Sequence, residues 1–112
     1  MTWWLIYYKI NHWVWNLIKM NIKVLTPESV IFEGEVDSVL LPGKNGEFHI
    51  MKNHAAVVSS LEGGSIKLFT DEIDEVYKKH FTKIDGKEVM YAYQLNSGVV
   101  EFNNNKGIIL CE

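Results

Sequence analysis

From Ile22 onward, apolar and polar residues alternate in short runs broken by turn chemistry, the pattern of half-buried β-strands. Ile22, Val24 and Thr26 alternate with Asn21, Lys23 and Leu25 until Pro27-Glu28-Ser29 stops the run. Val30 to Phe32 lead to Glu33-Gly34, and Val36 with Val39 to Leu41 forms an apolar stretch ended by Pro42-Gly43-Lys44-Asn45-Gly46. The Pro-Gly and Asn-Gly pairs each offer a place for positive φ, which predicts a tight, exposed hairpin connection. Phe48 and Ile50 alternate with Glu47, His49 and Met51. Ala55 to Leu61 is a small-residue and β-branched run ended by Glu62-Gly63-Gly64, and Ile66, Leu68 and Phe69 form the next strand. Val89, Tyr91, Tyr93 and Leu95 alternate with Met90, Ala92 and Gln94. Ser97-Gly98 turns the chain into Val99 to Phe102, and Asn103 to Gly107 turns it into a last strand at Ile108 to Leu110. Turn signals about every ten residues predict an all-β sandwich.

Residues 70–87 carry two signals. Ile73, Val76, Tyr77, His80 and Phe81 fit a helical template, whereas Asp85-Gly86 is a good hairpin turn and predicts two strands joined there after an acidic loop at 71–75. Both readings stay open.

Residues 1–19 stand apart, because all four tryptophans (Trp3, Trp4, Trp13 and Trp15) lie in the first fifteen positions. At helical period, Trp3, Ile6, Tyr7, Ile10, Trp13, Val14, Leu17 and Ile18 share one face opposite Lys9, His12, Asn16 and Lys19. There is no basic leader followed by an uninterrupted apolar core, and polar residues break the run too often for a bilayer-spanning helix. Two readings remain: an interfacial amphipathic helix, or translated sequence upstream of a start at Met20. The second is preferred, since Met20-Asn21-Ile22-Lys23-Val24 reads as a natural first strand. The expected organisation is therefore an extension over 1–19 and one β-domain over 20–112.

Composition narrows the partners. The 112 residues carry a net charge of −3, and all eleven basic residues are lysine. Within 20–112, nine lysines face fourteen acids, giving −5. An acidic domain without arginine lacks both the electrostatic footprint and the guanidinium fork of a nucleic-acid binder. The single cysteine, Cys111, excludes a disulfide scaffold and fits a reducing compartment.

No phosphate-cradling glycine loop, nucleophile elbow or zinc-protease helix is present, and no cofactor is expected. Glu47, His49 and His54 are the nearest approach to a metal constellation, as a small cupin-like, metal-dependent β-barrel enzyme would need. Alternation puts Glu47 and His49 on one sheet face and His54 beyond a turn, which argues against that centre. Ser59 and Ser60, with His54 or His80 as base, lack a third orienting group. Asp71, Glu72, Asp74 and Glu75 read as a solvated loop, and Cys111 as packed or terminal.

The strings Ile22 to Glu28, Ile31 to Val36, Leu41-Pro42-Gly43 and Gly46 to Val58 resemble the N-terminal domain of the epsilon subunit of bacterial F-type ATP synthase. The most telling piece is G-E-x-x-I-x-x-x-H-A from Gly46 to Ala55. Ser97 to Phe102 and Gly107 to Leu110 resemble that family's closing strands. The resemblance implies a flattened sandwich of about ten short strands. It also implies a non-catalytic rotor part of the central stalk, which couples proton flow to ATP synthesis by linking the gamma subunit to the c-ring. The place is the cytoplasmic face of the bacterial inner membrane, reached peripherally through the complex. By the same carry-over Gly43, Lys44, Asn45, Gly46 and Glu47 form the foot on the c-ring, while Thr26 and His54 match gamma-facing positions. Longer family members continue into a helical hairpin that binds ATP or brakes hydrolysis. This sequence stops at Glu112, so coupling without that regulation is expected. The coupling ion, proton or sodium, is chosen in the c-ring.

Overall fold

The computed structural model describes residues 19–112, so the readings made for the extension fall almost wholly outside the described residues. Ten strands and one helical turn follow in chain order: β1 (Met20–Leu25), β2 (Val30–Val36), β3 (Ser38–Gly43), β4 (Gly46–Met51), β5 (Val57–Leu61), β6 (Gly64–Phe69), α1 (Glu75–Lys78), β7 (Thr82–Ile84), β8 (Met90–Leu95), β9 (Gly98–Asn103) and β10 (Lys106–Cys111). The strands run β2-β1-β10-β9-β5-β3-β6-β8-β7 along one curled ladder, with β4 on the other side of β3. The ladder folds over at a corner where β3 meets β5 only through Gly43 opposite Leu61. A first sheet (β2-β1-β10-β9-β5) thereby faces a second (β4-β3-β6-β8-β7), the sandwich expected from the alternation and turn spacing and, in its flattened ten-strand form, from the family resemblance.

Strand faces follow the period-two rule closely. Met20, Ile22 and Val24 point inward from β1; Gly107, Ile109 and Cys111 from β10; Ile66 and Leu68 from β6; and all are buried. The first and last strands lie side by side in parallel, Ile22 opposite Gly107, so both ends of the described chain are locked into the middle of the first sheet.

β2 runs straight through Glu33-Gly34, where the Phe32 ring lies 3.2 Å from where a Cβ on Gly34 would sit. The chain crosses between sheets at Asp37, whose N–H donates to the Phe69 carbonyl at 2.9 Å. Two local expectations change. At the β3–β4 tip only Gly46 adopts positive φ (113°); Gly43 is required because a side chain there would meet the Phe48 ring and the Gly46 carbonyl, both within 3 Å. Residues 70–87 combine both of their signals. Asp74 caps α1 by accepting from the Val76 N–H at 3.1 Å. The helix stops after one turn, and the strand β7 then pairs with β8 across a connection over 85–89, longer than a two-residue hairpin.

That single turn closes the side of the sandwich opposite the corner. Phe32 of β2 packs edge-on against Tyr77 and Phe81 at 5.5 and 5.9 Å between centroids, and Phe81 meets Tyr93 of β8 at 5.9 Å. Lys78 holds Glu72 and Glu75 at 2.6 and 2.9 Å, and its ammonium beside Glu72 pulls that carboxyl below the usual range.

At the far end of the first sheet, Asn104 and Asn105 both have positive φ (51° and 59°), as a two-residue hairpin loop between β9 and β10 requires. Asn105 also accepts from the Asn53 N–H at 2.6 Å, donates to the Asn53 side chain at 3.2 Å, and offers its carbonyl to the Asn21 N–H at 2.9 Å. Asn105→Ala should therefore cost about 2 kcal/mol through lost hydrogen bonds and left-handed strain, and Asn105→Gly should recover only the backbone part, as urea denaturation will measure.

Candidate interaction surfaces

The sandwich has two ends. At one stand the Thr26–Ser29 turn, the β3–β4 tip, the β5–β6 turn and the C-terminal residue; at the other stand residues 52–56 and the Asn104-Asn105 turn. Gly43 and Gly46 face each other as the last pair of the β3–β4 ladder, so Lys44 and Asn45 project as an exposed two-residue tip. Glu47 follows at once on β4, opposite Pro42, its side chain about half exposed. Its one ion pair, to Lys67 at 3.6 Å, is of the surface kind that contributes about 0–1 kcal/mol, so the carboxylate is displayed rather than sequestered.

Thr26 opens the turn after β1. Its N–H donates to the Ser29 carbonyl at 2.9 Å and its Oγ1 accepts from the Ser29 N–H at 3.1 Å. His54 lies at the other end, where its Nδ1 donates to the Ala55 carbonyl at 2.7 Å and its ring stands edge-on to Phe102 at 6.1 Å. The structure thus brings the 43–47 tip and Thr26 to one end and leaves His54 a strand length away, roughly 20 Å along six residues. A partner touching both Thr26 and His54 must lie along the whole sheet.

Glu47 and His49 do share the outer face of the second sheet, but they serve different neighbours. His49 Nε2 lies 2.8 Å from Ser38 Oγ, with its ring 5.1 Å from that of Phe69. Among the described residues no three His, Cys, Asp or Glu side chains converge as a metal site would require, and the cupin-like reading has no support in the geometry. No helix of the described residues is long and apolar enough to cross a membrane.

Two features escaped the alternation. A groove of about 580 Å³ opens at the Thr26 end, floored by Leu25, Leu61, Val99 and Leu110. Cys111, at its inner wall, is buried, and burial pushes its thiol up to about 11. A thiol harder to ionise when folded favours the native state most below the unfolded thiol's titration. That contribution falls as pH rises past the unfolded value and levels off above about 11. Native protein should accordingly resist a thiol reagent at pH 8 and react fully once unfolded, as thiol titration with and without denaturant will read.

The two-layer slab with a rigid acidic tip defines the chain as a β-sandwich module. Comparison with known proteins makes that class specific: residues 19–78 match the family described as ATP synthase, Delta/Epsilon chain, beta-sandwich domain, and the chain belongs to it. The ATP synthase epsilon chain of Chlorobium limicola is 32% identical over 92 residues, covering 82% of this chain and 88% of that one. The epsilon chain of Campylobacter concisus is 39% identical over 83 residues, 66% of this chain and 60% of that one. In Campylobacter jejuni the match is 53% over 49 residues, 44% of this chain and 38% of its relative. The chain thus spans 38–60% of these Campylobacter relatives and most of the Chlorobium one. Two solved assemblies share the fold. One is the Euglena gracilis mitochondrial ATP synthase with OSCP, F1 and c-ring (TM-score 0.65, 12% identity, 84% of this chain and 51% of that one). The other is the central stalk and c-ring of the Tetrahymena thermophila mitochondrial ATP synthase (0.59, 18%, 83% and 63%).

Proposed function

We propose that this chain is a non-catalytic rotor subunit of a proton-driven F-type ATP synthase, joining the gamma subunit to the c-ring at the cytoplasmic face of a bacterial inner membrane. The observation that carries the reading is the β3–β4 tip. Gly43 is fixed by the Phe48 ring and Gly46 by its positive φ, so Lys44, Asn45 and Glu47 are presented on a stiff hairpin rather than a loose loop. Stiffness matters because torque passes through packed interiors and is dissipated in pliable ones. In this reading Gly43 to Glu47 stand on the polar loops of the ring, and Thr26 and His54 border the surface given to gamma.

Family membership supports the assignment, and the burial of Cys111 makes it testable. Asn45→Cys supplies the one accessible thiol among the described residues, and a photo-crosslinker attached there should label the c subunit in the assembled enzyme. Labelling of other subunits alone contradicts the foot. A tagged chain should likewise retain gamma in stoichiometric amount, and purification without gamma contradicts the rotor role. Translation from Met20 belongs to the same proposal: mass spectrometry of the native N-terminus should find residues 1–19 absent, and finding them present refutes it.

A further inference from the structure

Asn45 is the one asparagine of this sequence that a glycine follows, and the fold sets the pair at the β3–β4 tip, where Lys44 to Glu47 are all exposed. Its carboxamide has no hydrogen-bond partner among the described residues, whereas that of Asn105 is bonded twice to Asn53. Gly46 carries no side chain to screen its own backbone nitrogen, and nothing lies within 4 Å of where its Cβ would sit. Gly43 and Gly46 form the last pair of the β3–β4 ladder, so the turn opens by parting that pair alone. Local fraying of this kind costs far less than global unfolding. A free carboxamide beside an unscreened, exposed backbone nitrogen is the arrangement in which the nitrogen attacks the carboxamide carbon.

We propose that Asn45-Gly46 is a modification site at which the folded chain deamidates without an enzyme, exchanging a neutral carboxamide at the tip for a carboxylate. Water and hydroxide are the only co-reactants. Hydroxide takes the proton of the Gly46 N–H, and the nitrogen's electron pair forms a bond to Asn45 Cγ. The Cγ–Nδ2 bond breaks, and Nδ2 takes a proton from water and leaves as ammonia, which closes a succinimide ring. Water then adds to one of the two ring carbonyl carbons, the bond from that carbon to the ring nitrogen breaks, and the nitrogen regains a proton. Release from Cγ gives aspartate; release from the main-chain carbonyl carbon gives isoaspartate, whose backbone runs through the side chain and is longer by a methylene. Nothing is oxidised or reduced. Either product places a new negative charge two residues before Glu47, whose carboxylate lies 3.6 Å from Lys67, and isoaspartate also disturbs the register that sets Gly43 opposite Gly46. On the rotor reading this tip is the foot on the ring, so assembly covers the site and preserves the amide; the chemistry itself does not depend on that reading.

The test incubates the full chain at mildly alkaline pH and follows each asparagine by peptide mass spectrometry, Asn45 being the only one in residues 45–52, released by cleavage after Lys44 and Lys52. In the folded chain Asn45 should convert at least about tenfold faster than Asn53, Asn96 or Asn105, and within about tenfold of its own rate in urea. The rate should rise with pH, because the attacking nitrogen must first lose its proton. Isoaspartate in the whole chain, read with an isoaspartyl methyltransferase, should fall at least about fivefold in Asn45→Gln, whose longer side chain closes a larger ring more slowly. Conversion in urea with none in the folded chain shows that the hairpin protects the site and overturns the proposal. Another asparagine of residues 19–112 leading the ranking, or an isoaspartate signal unchanged in Asn45→Gln, overturns it too. Chain assembled into the ATP synthase should convert more slowly than free chain; equal rates, with the free chain converting as expected, contradict the ring foot and leave this chemistry standing.

Discussion

Gly98→Val is expected to yield no stable native protein. A Cβ at Gly98 would lie 2.5 Å from the Leu110 carbonyl oxygen and 3.2 Å from a Leu95 methyl. The first obstacle is backbone, and Gly98 pairs with Cys111 on one side and Leu61 on the other, so relief requires parting one of two ladders. Even Gly98→Ala should cost at least about 3 kcal/mol, a large share of the 5–15 kcal/mol that holds a typical domain together. Gly46→Ala is the control. Nothing lies within 4 Å of its Cβ position, so only the positive φ is penalised, at about 1–2 kcal/mol. Urea midpoints with unchanged slopes will separate the two, and equal midpoints would show that the β9–β10 ladder yields more readily than these close distances imply.

Phe102→Ala should remove about 3–5 kcal/mol, the usual cost of emptying a buried aromatic site. Phe102 is 1% exposed, pairs with Gly107 on one side and Val57 on the other, and carries the His54 ring on its edge. Its ring fills the space that Gly107 leaves open, 3.1 Å from a Cβ there. Neighbours held in two ladders cannot collapse into the void, which places the cost in the upper part of that range. A loss below about 1 kcal/mol would mean the ring is not enclosed.

How much of the fold is legible in the residues depends on contrast between strand faces. Met90 to Leu95 and Gly98 to Asn103 alternate in polarity or size, and the strands are where that alternation puts them. The closing strand reads Ile108-Ile109-Leu110, apolar on both faces, so period two gives no sign that Ile109 is core while Ile108 and Leu110 face outward. Residues 70–87 are ambiguous because their structure is decided by distant aromatics: α1 is pinned by Phe32 and the following turn by Tyr93, neither of which a local window contains. Gly43 misleads because close approach to the Phe48 ring, not positive φ, requires a glycine there. The acidic tip at Glu47 is readable because turn chemistry is local. That Thr26 and His54 lie at opposite ends follows only from strand register, which sequence does not print.

The central claim is that this slab mechanically ties gamma to the ring. Proton-driven ATP synthesis in inverted membrane vesicles from cells lacking the chain tests it most directly. Synthesis should fall to background and return when the chain is supplied again, whereas undiminished synthesis without it contradicts the account.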